Sequence, residues 1–316
     1  MSGYLAQLTI ELATGIEAVP LSFRKVQTDF FLSRQNQDGA FVDREGKGDL
    51  YYTSFALRAL AILGELEGEV AEKTAYYLRS SLGKQTHVVD FFSLIYSGFL
   101  LEASSGIDVF SGAKKGWQTA IATWLENLKR PDGGYAKATV GSAGSTYHTF
   151  LVLLCLELLN QPVQNPPSIL KFLEAQEDPS GGYREIRVST RAGTNPTAAA
   201  IAVYEMLFSL TGPIKTNTAQ FLLEMETDEG GLRANTRIPI ADLLSTFTGA
   251  LTLARVDAWH ELEVDRLEGF LSDLAQPTGG FIAAHWDTTE DVEYSFYGLA
   301  TMALIAYQQN RSSSPS

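Results

Sequence analysis

Gly133-Gly134-Tyr135 is followed by Gly181-Gly182-Tyr183, Gly230-Gly231-Leu232 and Gly279-Gly280-Phe281, with first glycines 48, 49 and 49 residues apart. An earlier copy, Asp38-Gly39-Ala40-Phe41, lies two periods before Gly133. That places a degenerate copy near Leu82–Gln85, where only Gly83 remains. The chain therefore carries six units. A period of roughly 20–50 residues is the mark of stacked or closed repeat architectures.

Each unit has one grammar. An apolar-periodic helix precedes the glycines, as in Ala120–Leu128 and Ser168–Ala175, and a polar loop of about ten residues follows them. A second, more apolar helix comes next: Tyr52–Leu63, Phe91–Leu101, Thr149–Leu159, Thr197–Leu210, Leu243–Leu253 and Tyr294–Ala306. A broad apolar face marks a more buried helix, so the second helices are expected as an inner ring and the first as an outer ring. The fold class is all-α: a single α/α barrel of six helical hairpins with an extra N-terminal helix near Tyr4–Ala13. The arm covers residues 1–20, the barrel 21–310, and a polar, disordered tail 311–316. The glycines suit the turn out of each outer helix, because glycine accepts the left-handed conformation of many helix C-termini.

The chain has 316 residues, 45% hydrophobic and 19% charged, an ordinary globular balance. Its length alone suggests two domains, at about 150 residues each, but the repeat overrides that. With 24 basic and 37 acidic residues the net charge is −13, which argues against nucleic acid as a partner. Cys155 is the lone cysteine, so no internal disulfide forms and Cys-rich zinc sites are excluded. The first twenty residues carry Glu11 and Glu17 and no basic start, unlike a signal peptide. The longest apolar run, Phe150–Leu159, falls short of the roughly 20 residues of a membrane span. The expectation is a soluble, cytoplasmic protein without stable membrane insertion.

In such a barrel the inner-helix N-termini converge at one mouth, where unpaired N–H groups and helix dipoles favour anions. A recurring Ser or Thr sets the register: Thr53, Ser93, Thr149, Ser245 and Ser295. Just before it stand Asp49, Asp90, Tyr147-His148, Asp242 and Asp291-Val292-Glu293-Tyr294. Asp242, Asp291 and Glu293 are the candidate catalytic acids. The plainer roles are N-capping for Asp242 and solvated surface for Glu293.

Two further features point to a ligand. Aromatics stud the inner helices, among them Tyr51, Phe91, Tyr147, Phe150, Phe247, Tyr294 and Phe296. An aromatic-lined hollow suits a long apolar molecule, although aromatics at helical spacing also fill cores. Arg184, Arg187 and Arg191, then Arg233 and Arg237, occupy equivalent loops of adjacent repeats, with Glu185 as the single acid among them. Arginine forks grip phosphate oxygens, and the alternative is a solvated loop with scattered ion pairs.

The Gly-Gly-aromatic period, the inner-helix starts and Gln35-Asn36-Gln37-Asp38-Gly39-Ala40-Phe41 resemble the β subunits of protein prenyltransferases and the squalene-cyclase-type repeat superfamily. The resemblance runs from about Leu21 to Gln308. It implies an isoprenoid or its diphosphate as ligand, held at the mouth by basic groups of the later repeats. The family's basic positions in the fifth repeat fall on Asn235 and Ile238, beside Arg233 and Arg237, and its phosphate-contacting His falls near Thr194 or Asn195. The family's zinc triad, Asp-x-Cys and His, reads here as Ala241 or Asp242, then Leu243 or Leu244, then Tyr294. Leucine supplies no donor atom, so no metal is expected beyond the Mg that can accompany a diphosphate. His148, in Tyr147-His148-Thr149, resembles the zinc His motif but sits in the third repeat, and joins the substrate-binding candidates. The cyclases' Asp-x-Asp-Asp-Thr proton-donor motif has its nearest matches in Asp291-Val292-Glu293-Tyr294-Ser295 and Asp49-Leu50-Tyr51-Tyr52-Thr53.

The leading expectation is a zinc-independent isoprenoid-processing enzyme, a terpene cyclase or a transferase to a non-thiol acceptor, binding a prenyl diphosphate in an aromatic-lined cavity. The alternatives are a non-catalytic lipid-binding or interaction barrel, and a classical prenyltransferase β subunit with a helical partner subunit.

Overall fold

Helices come in pairs. The computed structural model describes residues 3–140 and 143–313, and among them the chain forms thirteen α-helices. They fall into two compact units: Met1–Gln85 with Asp90–Lys114 and Leu271–Ser316, and Thr86–Val89 with Lys115–Phe270.

The first unit holds α1 (Tyr4–Ile16), α2 (Leu21–Ser33), α3 (Leu50–Leu63), α4 (Gly68–Ser81), most of α5 (Val88–Ser105), the end of α12 (Val264–Leu274) and α13 (Val292–Ser313). A two-residue antiparallel hairpin, β1 (Phe41–Val42) with β2 (Gly48–Asp49), leads into α3. α1 packs on α13 and α3, and α13 packs on α3. The second unit holds α6 (Trp117–Glu126), α7 (Thr146–Leu158), α8 (Pro166–Gln176), α9 (Thr194–Met206), α10 (Gly212–Leu223), α11 (Leu243–Arg255) and most of α12. There α9 packs between α7 and α11.

The glycine turns do more than end helices. The first glycine of each pair has a positive φ, +97° at Gly133 for example. A Cβ there would stand no more than 2.5 Å from a carbonyl oxygen of the first helix of the next hairpin. The partners are Lys73 for Gly39, Ser168 for Gly133, Asn217 for Gly181, Arg266 for Gly230 and Val26 for Gly279. The second glycine of the pair meets a phenylalanine ring: Phe172, Phe221, Phe270 or Phe30. The following side chain, Tyr135, Tyr183, Leu232 or Phe281, is buried, as is Phe41. Its backbone N–H donates to a hydroxyl one turn into the second helix: Thr53, Thr149, Thr197, Thr246 or Ser295. The recurring hydroxyl is thus Thr197 in the fourth repeat, and Thr246 rather than Ser245 in the fifth.

Several boundaries move. α9 begins at Thr194, because Pro196 fits its first turn, and ends at Met206 rather than Leu210; Phe208 has φ +53°. α13 runs to Ser313, so residues 311–313 of the expected loose tail are helical, and 314–316 lie outside the described residues. α13 packs along α1, where Gly15 lets the backbone of Ala303 approach. α5 is the one described helix long and apolar enough to cross a membrane by length and composition, which the sequence reading did not anticipate. Phe92, Leu94, Ile95, Tyr96, Leu100 and Leu101 are buried, as in the core helix of a folded domain.

The glycine contact makes a prediction. Gly230→Ala combines positive φ with a clash against the Arg266 carbonyl, and should lower stability by about 2–4 kcal/mol in urea unfolding. Gly212→Ala, at the open first turn of α10, should be neutral or stabilising.

Candidate functional site

One face of the first unit gathers chemistry. Tyr51, Phe55 and Arg58 lie four and three residues apart on α3 and so share a helix face. Phe296 and Tyr297 follow Glu293 by three and four residues on α13 and share its face. The faces meet: Phe55 stands 5.6 Å from Phe296 and 5.3 Å from Tyr297 between ring centroids. Phe92 and Tyr96 of α5 reach the same group through Arg58, whose guanidinium carbon lies 5.2 Å from each ring.

Glu293 is half-buried, and Tyr51 donates its hydroxyl proton to Glu293 Oε1 at 2.7 Å. Burial pushes the carboxyl up to about 7, and neighbouring Asp291 adds to that. The Tyr51 hydrogen bond and the more distant charges of Arg58 and Arg44 pull the other way. Burial wins, so a substantial neutral fraction persists near pH 7. Solvated surface, the plainer expectation for Glu293, is therefore corrected.

Asp291 takes another role. Its Oδ1 accepts from the backbone N–H of Tyr294 and caps α13, and its Oδ2 accepts from Arg44 Nε at 2.7 Å. Arg44, from the β1–β2 turn, also holds Asp287 with both terminal nitrogens, at 3.0 and 2.6 Å. Both carboxylates are buried. Asp291 is thus an ion-paired cap of α13. Arg44 and Arg58 went unmarked in the sequence, although Arg58 is the single charge in Leu50–Leu63.

The second unit holds the remaining candidates. Asp242 caps α11, its Oδ1 accepting from the Ser245 N–H and its Oδ2 from the Ser245 hydroxyl. Burial raises its pKa, while these hydrogen bonds oppose the rise. Thr146 binds the backbone of Arg184 and Glu185, and Thr194 that of Arg233 and Ala234, so consecutive loops lie side by side. Arg184 is ion-paired to Asp178 at 2.5 Å, and Arg233 donates to the Glu224 carbonyl at 2.9 Å. Arg187, Arg191 and Arg237 are exposed and their side chains have no partner among the described residues. Burial depresses His148 to about 4, with Lys137 and His87 adding to the effect, so it is neutral at pH 7 and offers no charge to an anion. Tyr147 is exposed beside it and Phe247 is buried. In the first unit Phe91 and Tyr294 are partly exposed, the latter next to Tyr297.

The prenyltransferase alpha-alpha toroid domain family matches residues 8–79, 71–238 and 215–314, and the chain belongs to that family. The fold is therefore the α/α barrel that the repeats imply. Protein geranylgeranyltransferase-I of Candida albicans, in complex with GGPP, is similar at TM-score 0.71 and 14% identity, over 89% of this chain and 90% of that one. The type II terpene cyclase MstE of Scytonema, in complex with merosterolic acid A, is similar at TM-score 0.62 and 14% identity, over 97% and 99%. An alpha-1,6-mannanase of Salegentibacter reaches TM-score 0.58 at 12% identity, over 90% and 98%. At such identities the likeness speaks for the fold alone. No curated protein sequence matches the chain.

The Glu293 environment gives a signed pH prediction. A carboxyl whose folded pKa is raised contributes stability that is present at low pH and lost as pH rises through the folded value. Urea unfolding should therefore show stability falling between about pH 5 and about pH 8. Glu293→Gln should flatten that slope. Tyr51→Phe should raise the Glu293 carboxyl above its wild-type value in a carbon-13 NMR titration, because the hydrogen bond it removes favours the ionised form.

Proposed function

We propose that the protein is an isoprenoid-processing enzyme that works without zinc, with Glu293 as proton donor to an alkene of a prenyl chain lying on the aromatic face of α3, α5 and α13. The observation that carries this reading is a half-buried carboxyl near pKa 7, hydrogen-bonded by Tyr51 and set among aromatic rings. A donor to an alkene must be neutral at working pH, and burial supplies that condition.

In the proposed step, the alkene π pair takes the proton of neutral Glu293 and leaves a tertiary carbocation on the chain. The Tyr51 O–H stabilises the carboxylate that forms. A second alkene closes on the cation, and loss of a proton from carbon ends the reaction with no change in mass. The rings of Phe55, Phe296 and Tyr297 exclude water and offer π faces to the cation. Within the second unit, Arg187, Arg191 and Arg237 are the arginines open to a diphosphate, since Arg184 and Arg233 already have partners.

What supports the zinc-free reading is the set of residues standing at the resembled family's ligand positions. Both Asp242 oxygens are held by Ser245, Leu244 has no donor atom, and Tyr294 stands where the resembled family has His. Among the described residues no three His, Cys, Asp or Glu side chains gather as a metal set. A non-catalytic isoprenoid-binding barrel is the second reading, favoured by the capping roles of Asp242 and Asp291.

Incubation with geranylgeranyl substrates, followed by mass spectrometry, should give cyclised isomers from the wild type. Glu293→Gln should reduce their rate by at least about a hundredfold while leaving binding intact. Binding without product would favour the non-catalytic reading. Calorimetry should show geranylgeranyl diphosphate binding more tightly than geranylgeraniol, and Arg191→Ala with Arg237→Ala should weaken the diphosphate by roughly ten- to a hundredfold. Elemental analysis of purified protein should find far less than one zinc per chain; stoichiometric zinc that resists mild chelation would overturn the zinc-free reading.

A further inference from the structure

Arg58 stands among four aromatic rings. Its guanidinium carbon lies 4.4 Å from the centroid of Phe55, 5.2 Å from Phe92 and Tyr96, and 5.7 Å from Phe296. One terminal nitrogen, Nη2, donates to Ser54 Oγ at 3.1 Å. Nε is buried and has no acceptor. Nη1 has no partner either, and no carboxylate pairs with the group among the described residues. The Tyr96 hydroxyl is already bonded to Thr9. Two other arginines of this unit are matched by carboxylates: Arg44 has Asp287 and Asp291, and Arg34 has Glu290.

The guanidinium is half-buried with its Nε sealed and has no direct ion pair, whereas charges taken into a protein are ordinarily paired. Aromatic faces offset part of the cost of an unpaired charge but accept no hydrogen bonds. They lie against the guanidinium, and with Nε sealed in and Nη2 on Ser54 they leave Nη1 as the place where a partner can be received. A guanidinium N–H of this kind makes a charge-assisted bond to an oxygen of a carboxylate or phosphate. Because these rings already hold a resident cation, a ligand group seated beside them is expected to be negative.

We propose that Arg58 binds an oxyanion, the carboxylate or phosphate headgroup of a ligand whose apolar chain lies on the rings around it. This rests on the reading that the α3, α5 and α13 face takes prenyl chains. It adds an anion site within that face, separate from the exposed loop arginines of the second unit.

Calorimetry with geranylgeraniol, geranylgeranoic acid and geranylgeranyl diphosphate tests it on the wild type, on Arg58→Met, which keeps the packing of the stem, and on Arg187→Ala/Arg191→Ala/Arg237→Ala. The wild type should bind at least one of the two anions more tightly than the alcohol, and which one identifies the headgroup. Arg58→Met should remove roughly ten- to a hundredfold of that preference and leave the alcohol within about threefold, and the same substitution made on the triple loop variant should remove the same factor again. Arg58→Met retaining the full preference overturns the proposal, and so does equal binding of alcohol and anions by the wild type, although the prenyl-binding reading then survives. If no prenyl compound binds at all, both fall. Should Arg58→Met not fold, nitrogen-15 NMR of the wild type decides. The Arg58 Nε–H signal, assigned by its loss in Arg58→Lys, should shift with the preferred anion and not with the alcohol, and an unmoved signal overturns the assignment.

Discussion

The fold depends on backbone touching backbone. At the start of each glycine turn the main chain lies against a carbonyl of the next hairpin's first helix, closer than any Cβ would permit. One contact therefore fixes both the exit angle of a helix and the position of the following repeat. The Phe30, Phe172, Phe221 and Phe270 rings then cover the second glycines, and the hydroxyl of Thr149 or its equivalent takes the next N–H. The same contact joins Gly279 to Val26, so the last repeat seats on the first. A toroid needs that junction, and an open superhelix lacks it. The second repeat shows the converse: Gly83 keeps a positive φ but faces open space.

At this junction the charges sort themselves. The turn of the first repeat delivers Arg44 to Asp287 and Asp291 of the last. The planar guanidinium holds Asp287 with two bonds and Asp291 with one, and so ties both acids into an ion-pair network. Glu293, two residues beyond Asp291, escapes that clamp and points to Tyr51 instead. Two carboxylates in one short motif thus acquire different duties, one an ion-paired helix cap and the other an acid with a raised pKa. The packing of α13 on α3, which follows from the repeat junction, is what sets Glu293 among aromatic rings.

Period and hairpin grammar were legible because glycine and aromatic positions are dictated by local backbone geometry. The helix starts were legible too, since Asp49, Asp242 and Asp291 cap as their residue types require. What could not be read was pairing between distant repeats. Arg44 is separated from Asp291 by 247 positions, and Tyr51 from Glu293 by 242. Nothing in either local stretch announces its partner. The arginine loops were visible as composition, but composition cannot tell Arg184, ion-paired to Asp178, from Arg187, which is exposed. Arg58 left one clue, a lone charge in a fourteen-residue apolar helix.

Glu293 and Arg58 are coupled without touching. The guanidinium draws the carboxyl towards ionisation, yet burial outweighs it. The aromatic rings enforce this by keeping water, which would solvate a carboxylate, away from the acid. An oxyanion seated at Nη1 of Arg58 would cancel the pull and add its own repulsion, so the proton would be held on Glu293 more firmly with ligand than without. Seating the headgroup and keeping the acid neutral would then be one electrostatic event. A carboxyl poised near 7 rather than far above it is what makes such an event consequential, since there the smallest change in local charge moves the largest fraction of molecules between the two protonation states.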